Sequence, residues 1–250
     1  MIEVEQDMTE GRAWTRTELD AYLNDRYVTF DGLADGTGLD GETLERLIET
    51  GCMPGPSYEL RHRDELYAYI NGDVNTISIR TIERYFAKDV IAWAKLIEPR
   101  LRDTPPEDLA PVLKSELRTT FREGLAAHGA AQIGYEGFVA PDGKIDDDGF
   151  SAHFEDYIWP NWREGTWGIC VYGSEHMQNV ARKTVAVNRL KLLTEDGAKD
   201  EYSSDQARNV HAAMVEYDAI VPPFSPHDRH DSSRARLVEA LSGKVGYDPR

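Results

Sequence analysis

Two short stretches with helical periodicity lie between residues 27 and 58, and a glycine-containing turn separates them. Apolar residues recur on one face of each stretch, Phe30, Leu33 and Ala34 in the first and Leu44, Leu47 and Ile48 in the second. Gly38 and Gly51 stand where a left-handed residue commonly ends a helix, and Asp40 is placed to cap the second one. The pattern therefore predicts a helix-turn-helix.

Longer stretches with helical periodicity follow, and they predict a mainly α protein with a small β element. The predicted helices are 81–98, 106–129, 150–159, 175–193, 204–219 and 233–241. Pro99 and Pro160 are expected to end the first and third of these, and Ser174 to cap the fourth. Residues 166–172, TWGICVY, are the best strand candidate. We expect a helix-turn-helix-like module over residues 1–75 packed on a helical core over 76–197, with a C-terminal helical extension over 198–250.

Charge changes the interpretation of the N-terminal module. The stretch resembles the first two helices of mercuric-resistance-type winged-helix regulators, in which the second helix would present Glu42, Glu45, Arg46 and Glu49 to DNA. Three of these four residues are acidic, and the 250-residue chain has 45 acidic against 28 basic residues, a net charge of −17. Because such a surface repels phosphate, we expect a scaffold or subunit-contact module and no nucleic-acid partner.

Apolar runs, N-terminal charge and cysteine content indicate the cell compartment. No run approaches about 18 apolar residues, and the first residues are acidic where a signal peptide is basic. Cys52 and Cys170 are the only cysteines, and both are expected to be buried thiols in a reducing environment. These features predict a cytoplasmic protein without a membrane partner.

Sequence motifs for common chemistries are absent or weak. The chain contains no GxSxG, no GxxxxGK[ST] and no HExxH. The GxGxxG at residues 36–41 follows no strand and is interpreted as turn chemistry. The acidic residues of 144–155 and the HDRHD of 227–231 only partly match metal-binding patterns. We therefore expect no metal and no cofactor.

Two pairs of residues are candidates for catalytic acid–base work. His153 and Asp156 share a helical face, so the carboxylate can orient and charge the imidazole. Glu175 and His176 stand at the predicted start of a helix, where the helix dipole favours an anion. The alternatives are a structural ion pair for the first and an ordinary first-turn acid beside an exposed histidine for the second.

Candidate substrate-binding residues are basic or aromatic. Arg80 and Arg84 lie four residues apart in a predicted helix and can fork onto a sulfate or phosphate, and Arg182 and Lys183 are a similar pair. The aromatic candidates are Tyr85, Trp93 and Trp167. The alternative for the arginines is surface charge that covers apolar neighbours.

Three blocks carry a family resemblance, namely IERYFAKDVIAWAKL at 82–96, WPNWREGTWGICV at 159–171 and the helix containing ARKTVAVNRL. Together they resemble a family of bacterial natural-product biosynthesis proteins of unknown function, although Lys183-Thr184 stands where that family suggests Lys-Glu. In size and overall character the chain is also similar to the paired proteins that close aziridine rings by expelling sulfate.

That resemblance implies amine cyclisation by substrate positioning. Arginines would hold the departing sulfate and a His or Asp would take the amine proton, without metal or nucleotide. The substrate would be a sulfated or carrier-protein-bound biosynthetic intermediate, and the partner a homologous subunit or a second copy. The competing hypotheses are a ligand-sensing regulator, with an aromatic pocket formed by Trp93, Trp159, Trp162 and Trp167, and a non-catalytic stabilising subunit.

Overall fold

A computed structural model of the chain describes residues 16–61, 65–68, 81–229 and 231–249. The strands are β1 (Tyr27–Thr29), β2 (Tyr58–Arg61), β3 (Glu65–Ala68) and β4 (Thr81–Ala87). The helices of the first half are α1 (Arg16–Arg26), α2 (Phe30–Thr37), α3 (Gly41–Thr50), α4 (Val90–Leu101) and α5 (Pro106–Ala127). Those of the second half are α6 (Asp147–His153), α7 (Trp159–Arg163), α8 (Trp167–Cys170), α9 (Met177–Thr194), α10 (Ser204–Asp218), α11 (Pro226–Arg229) and α12 (Ala240–Val245). The predicted class, mainly α with a small β element, is confirmed.

Local capping forms the helix-turn-helix as predicted. The Asp40 carboxylate accepts a hydrogen bond from the Thr43 amide at 2.8 Å and starts α3. Gly38 and Gly51 adopt left-handed φ angles of 76° and 81° and end α2 and α3. β2 and β3 then pair antiparallel in the position of a wing.

The four strands form an antiparallel sheet in the order β1-β4-β2-β3. β4 occupies the first half of the helix predicted over 81–98, so that prediction is wrong there. Aromatic and β-branched residues suit a strand as well as a helix, and here β4 pairs with Tyr27–Thr29 on one side and Tyr58–Arg61 on the other. The helix begins only at Val90 and continues past Pro99 to Leu101. β4 thus joins the N-terminal sheet although it lies beyond residue 76.

Residues 166–172 do not form the predicted strand. Residues 167–170 form the short helix α8, and all four of them are buried. A short apolar run that is buried on every side carries no periodicity with which to distinguish a strand from a helix. Tyr172, just after it, donates its amide to the Ile220 carbonyl at 2.9 Å.

Pro160 does not end the helix that begins near Phe150. Instead α6 passes through a π-helical turn at Phe154–Ile158 into α7. The Trp159 amide donates to the carbonyl of Phe154, five residues back. Pro160 follows at the start of α7, where its missing N–H removes little.

Helices α5 and α9 form the centre of the larger helical layer, and α10 packs against α9. The two central helices approach closely at Gly124, where an added Cβ would lie 2.7 Å from the Cβ of Ala181. One continuous set of buried residues extends from Leu44 in α3 through Leu113 in α5 to Leu241 in α12. Cys52 and Cys170 are buried free thiols, as expected.

Within the described ranges, no helix combines the length and the apolar character that crossing a bilayer requires.

Candidate functional site

A cavity of about 350 Å³ lies beside α9 and brings two sequence candidates, His153 and Lys183, together. Its other walls come from the 3-10 turn Tyr135–Gly137 and from the π-helical turn. The lining residues are Tyr135, Glu136, His153, Tyr157, Lys183, Thr184, Val187, Asn188 and Lys191. Most of these side chains are polar, so the cavity is equipped for chemistry on a polar ligand.

His153 is hydrogen-bonded to a buried tyrosine. Its Nε2 lies 3.0 Å from the Tyr135 hydroxyl. Burial lowers the pKa of the His153 imidazole, and burial raises the pKa of the Tyr135 phenol well above its usual value. At neutral pH the pair is therefore an uncharged imidazole beside a protonated phenol, which suits a general base with a hydrogen-bonding partner.

Lys183 lines the same cavity, and its ammonium group lies against Trp167. Its side chain is only 9% exposed, and its Nζ lies 5.2 Å from the centre of the Trp167 ring. The described part of the chain places no carboxylate within ion-pair distance of it. A buried charge without a counter-charge is costly, so the ammonium is ready to accept an anion from a ligand.

The groups around Lys183 decide its charge. Burial is the largest influence and lowers the pKa of Lys183, whereas Cys170, Tyr157 and Tyr217 raise it, and the net pKa is raised, so the amine is an ammonium at neutral pH. Burial raises the pKa of the Cys170 thiol, and burial raises that of Tyr217 to about 12. At neutral pH the Cys170 thiol and the Tyr217 phenol are therefore protonated and supply no counter-charge to the ammonium.

Irregular backbone surrounds the cavity. Glu136, in its wall, has a positive φ of 49°, a conformation that side chains other than glycine rarely adopt. The π-helical turn that supplies Tyr157 is the second irregularity. Strained turns and π-helical turns occur preferentially at functional sites.

Asp156 does not take part in this site. Its side chain is exposed, and the carboxylate whose charge acts on His153 is Glu136 instead. Asp156 lies within the π-helical turn that follows α6, and this turn changes the angular spacing on which the predicted pairing depended. His153 therefore relies on Tyr135 and not on Asp156.

The second catalytic pair lies in a different cleft, next to Trp93. Glu175 and His176 precede α9, which begins at Met177, and so do not occupy its first turn. The Glu175 side chain is 11% exposed and that of His176 is 66% exposed, with Oε1 and Nε2 3.5 Å apart. Ser174 does not cap α9 but hydrogen-bonds to Asp89.

Arg84 does not lie on the helix on which it was predicted to pair with Arg80. Arg80 lies outside the described residues. Arg84 lies on β4, so the four-residue spacing that places two side chains on one face of a helix does not apply to it. The Arg84 guanidinium binds the Glu45 carboxylate with both terminal nitrogens and lies 4.3 Å from the Phe30 ring centre. Tyr85, in the same strand, is buried in the core. Neither residue is free to hold a substrate anion.

The tryptophans serve mainly as core. Trp93 donates its indole N–H to the Cys52 carbonyl at 2.7 Å and packs edge-on against Trp162. Trp159 stacks on Trp162 with ring centres 5.2 Å apart. Trp167 is buried separately, under Lys183. The aromatic pocket expected for a ligand sensor is thus a packed cluster without Trp167.

Arg182 faces a third cavity, of about 500 Å³, on the other side of α9. It shares this cavity with Arg189, which is ion-paired to Glu216. Arg182 and Lys183 are consecutive in α9 and so point into different cavities. They do not act as one pair.

Tyr135 and Asp89 are partners of site residues that the sequence did not predict. Tyr135 lies in a glycine-rich stretch without periodicity, and Asp89 lies inside the range predicted as one continuous helix. Their partners, His153 and Glu175, are respectively 18 and 86 positions away. Periodicity and capping patterns are local and do not predict contacts between residues so far apart in sequence.

One acidic residue of each partial metal-binding pattern has a structural role, while His230 lies outside the described residues. Asp146 caps α6 by accepting the Gly149 amide, and the buried Asp228 accepts hydrogen bonds from Tyr58 and Ser225. Within the ranges that the structure describes, no group of three or more His, Cys, Asp or Glu side chains is placed to hold a metal ion.

Comparisons with other proteins add a family but no activity. No curated protein matches the chain, and no solved structure matches it. The family of unknown function DUF6058 matches residues 114–246, which is more than half of the 250 residues. Every residue that lines the cavity of His153 and Lys183 lies within this matched range. The chain belongs to the DUF6058 family.

Proposed function

We propose that this chain is an enzyme, or the catalytic subunit of one, that performs acid–base chemistry on an anionic small molecule. The site is the cavity beside α9, with His153 as general base and Lys183 as the group that holds the anion. The observation that carries the proposal is the buried Lys183 ammonium, which has no carboxylate partner among the described residues and belongs to a side chain that lines the same cavity as a neutral imidazole.

The roles follow from the charges. An anionic group on the substrate gains a counter-ion in Lys183, and the ammonium gains the negative charge that its surroundings lack. His153 then accepts a proton from the bound molecule. The Tyr135 phenol stays protonated, keeps the imidazole oriented through its hydrogen bond and disperses the charge that the imidazole acquires.

The narrower form of the proposal is closure of an aziridine ring with loss of sulfate. An amine nitrogen would give its proton to His153 and form the new N–C bond, while the C–O bond to the sulfate ester breaks and sulfate leaves beside Lys183. Lys183 takes the role that the sequence assigned to Arg80 and Arg84. The substrate would be a biosynthetic intermediate, free or bound to a carrier protein.

Anion binding can be tested with inorganic sulfate. In NMR titrations of the His153 ring, sulfate should raise the pKa of His153, because the added negative charge stabilises the imidazolium. Lys183→Met should abolish this rise, whereas Lys144→Met, which removes an exposed ammonium, should retain it. An unchanged response in Lys183→Met would contradict the assigned site.

Catalysis can be tested with 2-aminoethyl hydrogen sulfate, which carries an amine and a sulfate ester on adjacent carbons. Release of inorganic sulfate should fall at least about 100-fold in His153→Asn, as expected on loss of a general base. Binding without release, with the chain alone and with a candidate partner subunit, would argue against cyclisation and favour the role of a stabilising subunit.

We also propose that the helix-turn-helix-like module is a scaffold and not a nucleic-acid reader. Arg46, the basic residue among the four outward positions of α3, is held by Glu107 of α5 through two hydrogen bonds of 2.8 and 2.7 Å. Glu45 is bound to Arg84 of β4. A mobility-shift assay against upstream DNA at modest salt should show no sequence-dependent binding; tight binding would favour the regulator. We also propose that the chain assembles with a homologous subunit or with a second copy of itself. Light scattering would detect either assembly by its higher molar mass.

A further inference from the structure

A second cleft, separate from the cavity of His153, lies between α4, α5 and the start of α9. It has a volume of about 490 Å³, within the range of small-molecule sites. Its apolar walls are formed by Trp93, Leu96, Ile97, Leu113, Leu117 and Met177. Leu96, at 61% exposure, is one of the most exposed large apolar side chains of the described chain.

One carboxyl group in this cleft lacks a cation. Arg100, also in the cleft, is bound to both oxygens of Glu116, at 2.7 and 3.0 Å, so its charge is already matched. Glu175 has only the largely exposed His176 beside it, 3.5 Å away. The cleft therefore combines apolar walls with an acidic side chain whose charge is not compensated by a buried cation.

Asp89 increases the demand for a cation. It accepts hydrogen bonds from the amide and the hydroxyl of Ser174, at 2.7 and 3.1 Å, through its Oδ2. Its Oδ1 and the Oε2 of Glu175 are both buried without a hydrogen-bond donor. Burial and the negative charge of Asp89 raise the pKa of Glu175 to about 7. A bound cation relieves the repulsion between the two side chains when Glu175 loses its proton.

We propose that this cleft binds a small organic ammonium ion, with the charged nitrogen at Glu175 and a hydrophobic body against the Trp93 and Leu96 side of the cleft. An ammonium supplies three hydrogen-bond donors and a positive charge, which are the two things that the carboxyl pair lacks. The apolar walls give an alkyl or aryl body a surface to cover. The site is distinct from that of the proposed acid–base chemistry and does not depend on it.

The probe is 2-phenylethylammonium, measured by isothermal titration calorimetry against its neutral analogue 2-phenylethanol. At pH 8 the ammonium should bind one site at least tenfold more tightly than the alcohol. Glu175→Gln should weaken ammonium binding at least tenfold. Glu98→Gln removes an acid from the same helix as Trp93, but one that is paired with Arg102 at the surface, and should leave the affinity unchanged.

A second measurement needs no variant. Affinity should rise severalfold from pH 6 to pH 8, because Glu175 loses its proton near pH 7 while the aliphatic ammonium stays charged. The titratable and charged groups that face Glu175 are Asp89 and His176, with the Arg100–Glu116 pair in the same cleft. Equal binding of alcohol and ammonium, unchanged affinity in Glu175→Gln, or no saturable binding would each overturn the proposal.

Discussion

Replacing Lys183 by methionine should stabilise the protein while it removes the proposed anion site. Methionine has nearly the volume of lysine and can fill the same space beside α8 without a charge. Replacing a buried, uncompensated ion by an apolar side chain is neutral to stabilising, by up to about 4 kcal/mol. Loss of the ammonium contact with the Trp167 ring offsets about 1 kcal/mol of this. We expect a net gain of about 1–2 kcal/mol in the free energy of unfolding.

Urea unfolding measures this gain directly. The midpoint should move to higher urea with an unchanged slope, and the melting temperature should rise by about 2–8 °C for a chain of this size. The control is Lys144→Met, which removes an exposed ammonium and should change stability little. A loss of 1 kcal/mol or more in Lys183→Met would show that the fold itself satisfies the ammonium, and the argument for an anionic ligand would fail.

Three further predictions concern other parts of the molecule. Glu175→Gln should raise stability by about 1–2 kcal/mol at pH 8 and change it little at pH 5. The reason is that the pKa of Glu175 is raised from 4.5 to about 7. The protonated carboxyl therefore stabilises the fold fully below pH 4.5, and this stabilisation is lost as pH rises through 7. In thermal melts, Arg84→Ala should cost about 1 kcal/mol, since its guanidinium is half-buried on an aromatic ring, whereas Arg46→Ala, in an exposed pair, should leave the melting temperature unchanged. Gly124→Ala should cost about 1–3 kcal/mol in urea unfolding by forcing α5 and α9 apart, while Gly243→Ala, in an open stretch of α12, should stabilise by about 0.5–1 kcal/mol. Equal effects within either matched pair would contradict the packing on which these predictions rest.

The sequence predicts the elements whose cause is local. Asp40 and Gly51 mark the ends of α3 because a cap acts on the nearest turn, and the structure places both as expected. β4 could not be recognised in this way. Its aromatic residues fit helical periodicity equally well, and what makes it a strand is pairing with residues at least 20 positions away in sequence.

The candidate site shows the same division. The sequence makes His153 and Lys183 candidates because each has a polar or charged residue near it on a predicted helix, and the structure does bring them to one cavity. The partner of each was missed or misassigned, since Tyr135 lies in an aperiodic segment and Arg182 turns away from Lys183. Composition and spacing identify a side chain that can do chemistry, but only tertiary packing decides what it faces.

Residues of α9 line all three cavities. Successive residues of a helix are rotated by about 100°, so Arg182 and Lys183 are directed to different sides of α9. Glu175 precedes the first turn of the same helix and lies in the cleft beside Trp93. Since α9 approaches α5 most closely at Gly124, a substitution that lifts the helix there moves all three sets of lining residues together. Gly124→Ala should therefore weaken sulfate binding at Lys183 and ammonium binding at Glu175 in parallel, whereas the single substitutions at those two residues should each affect one ligand alone.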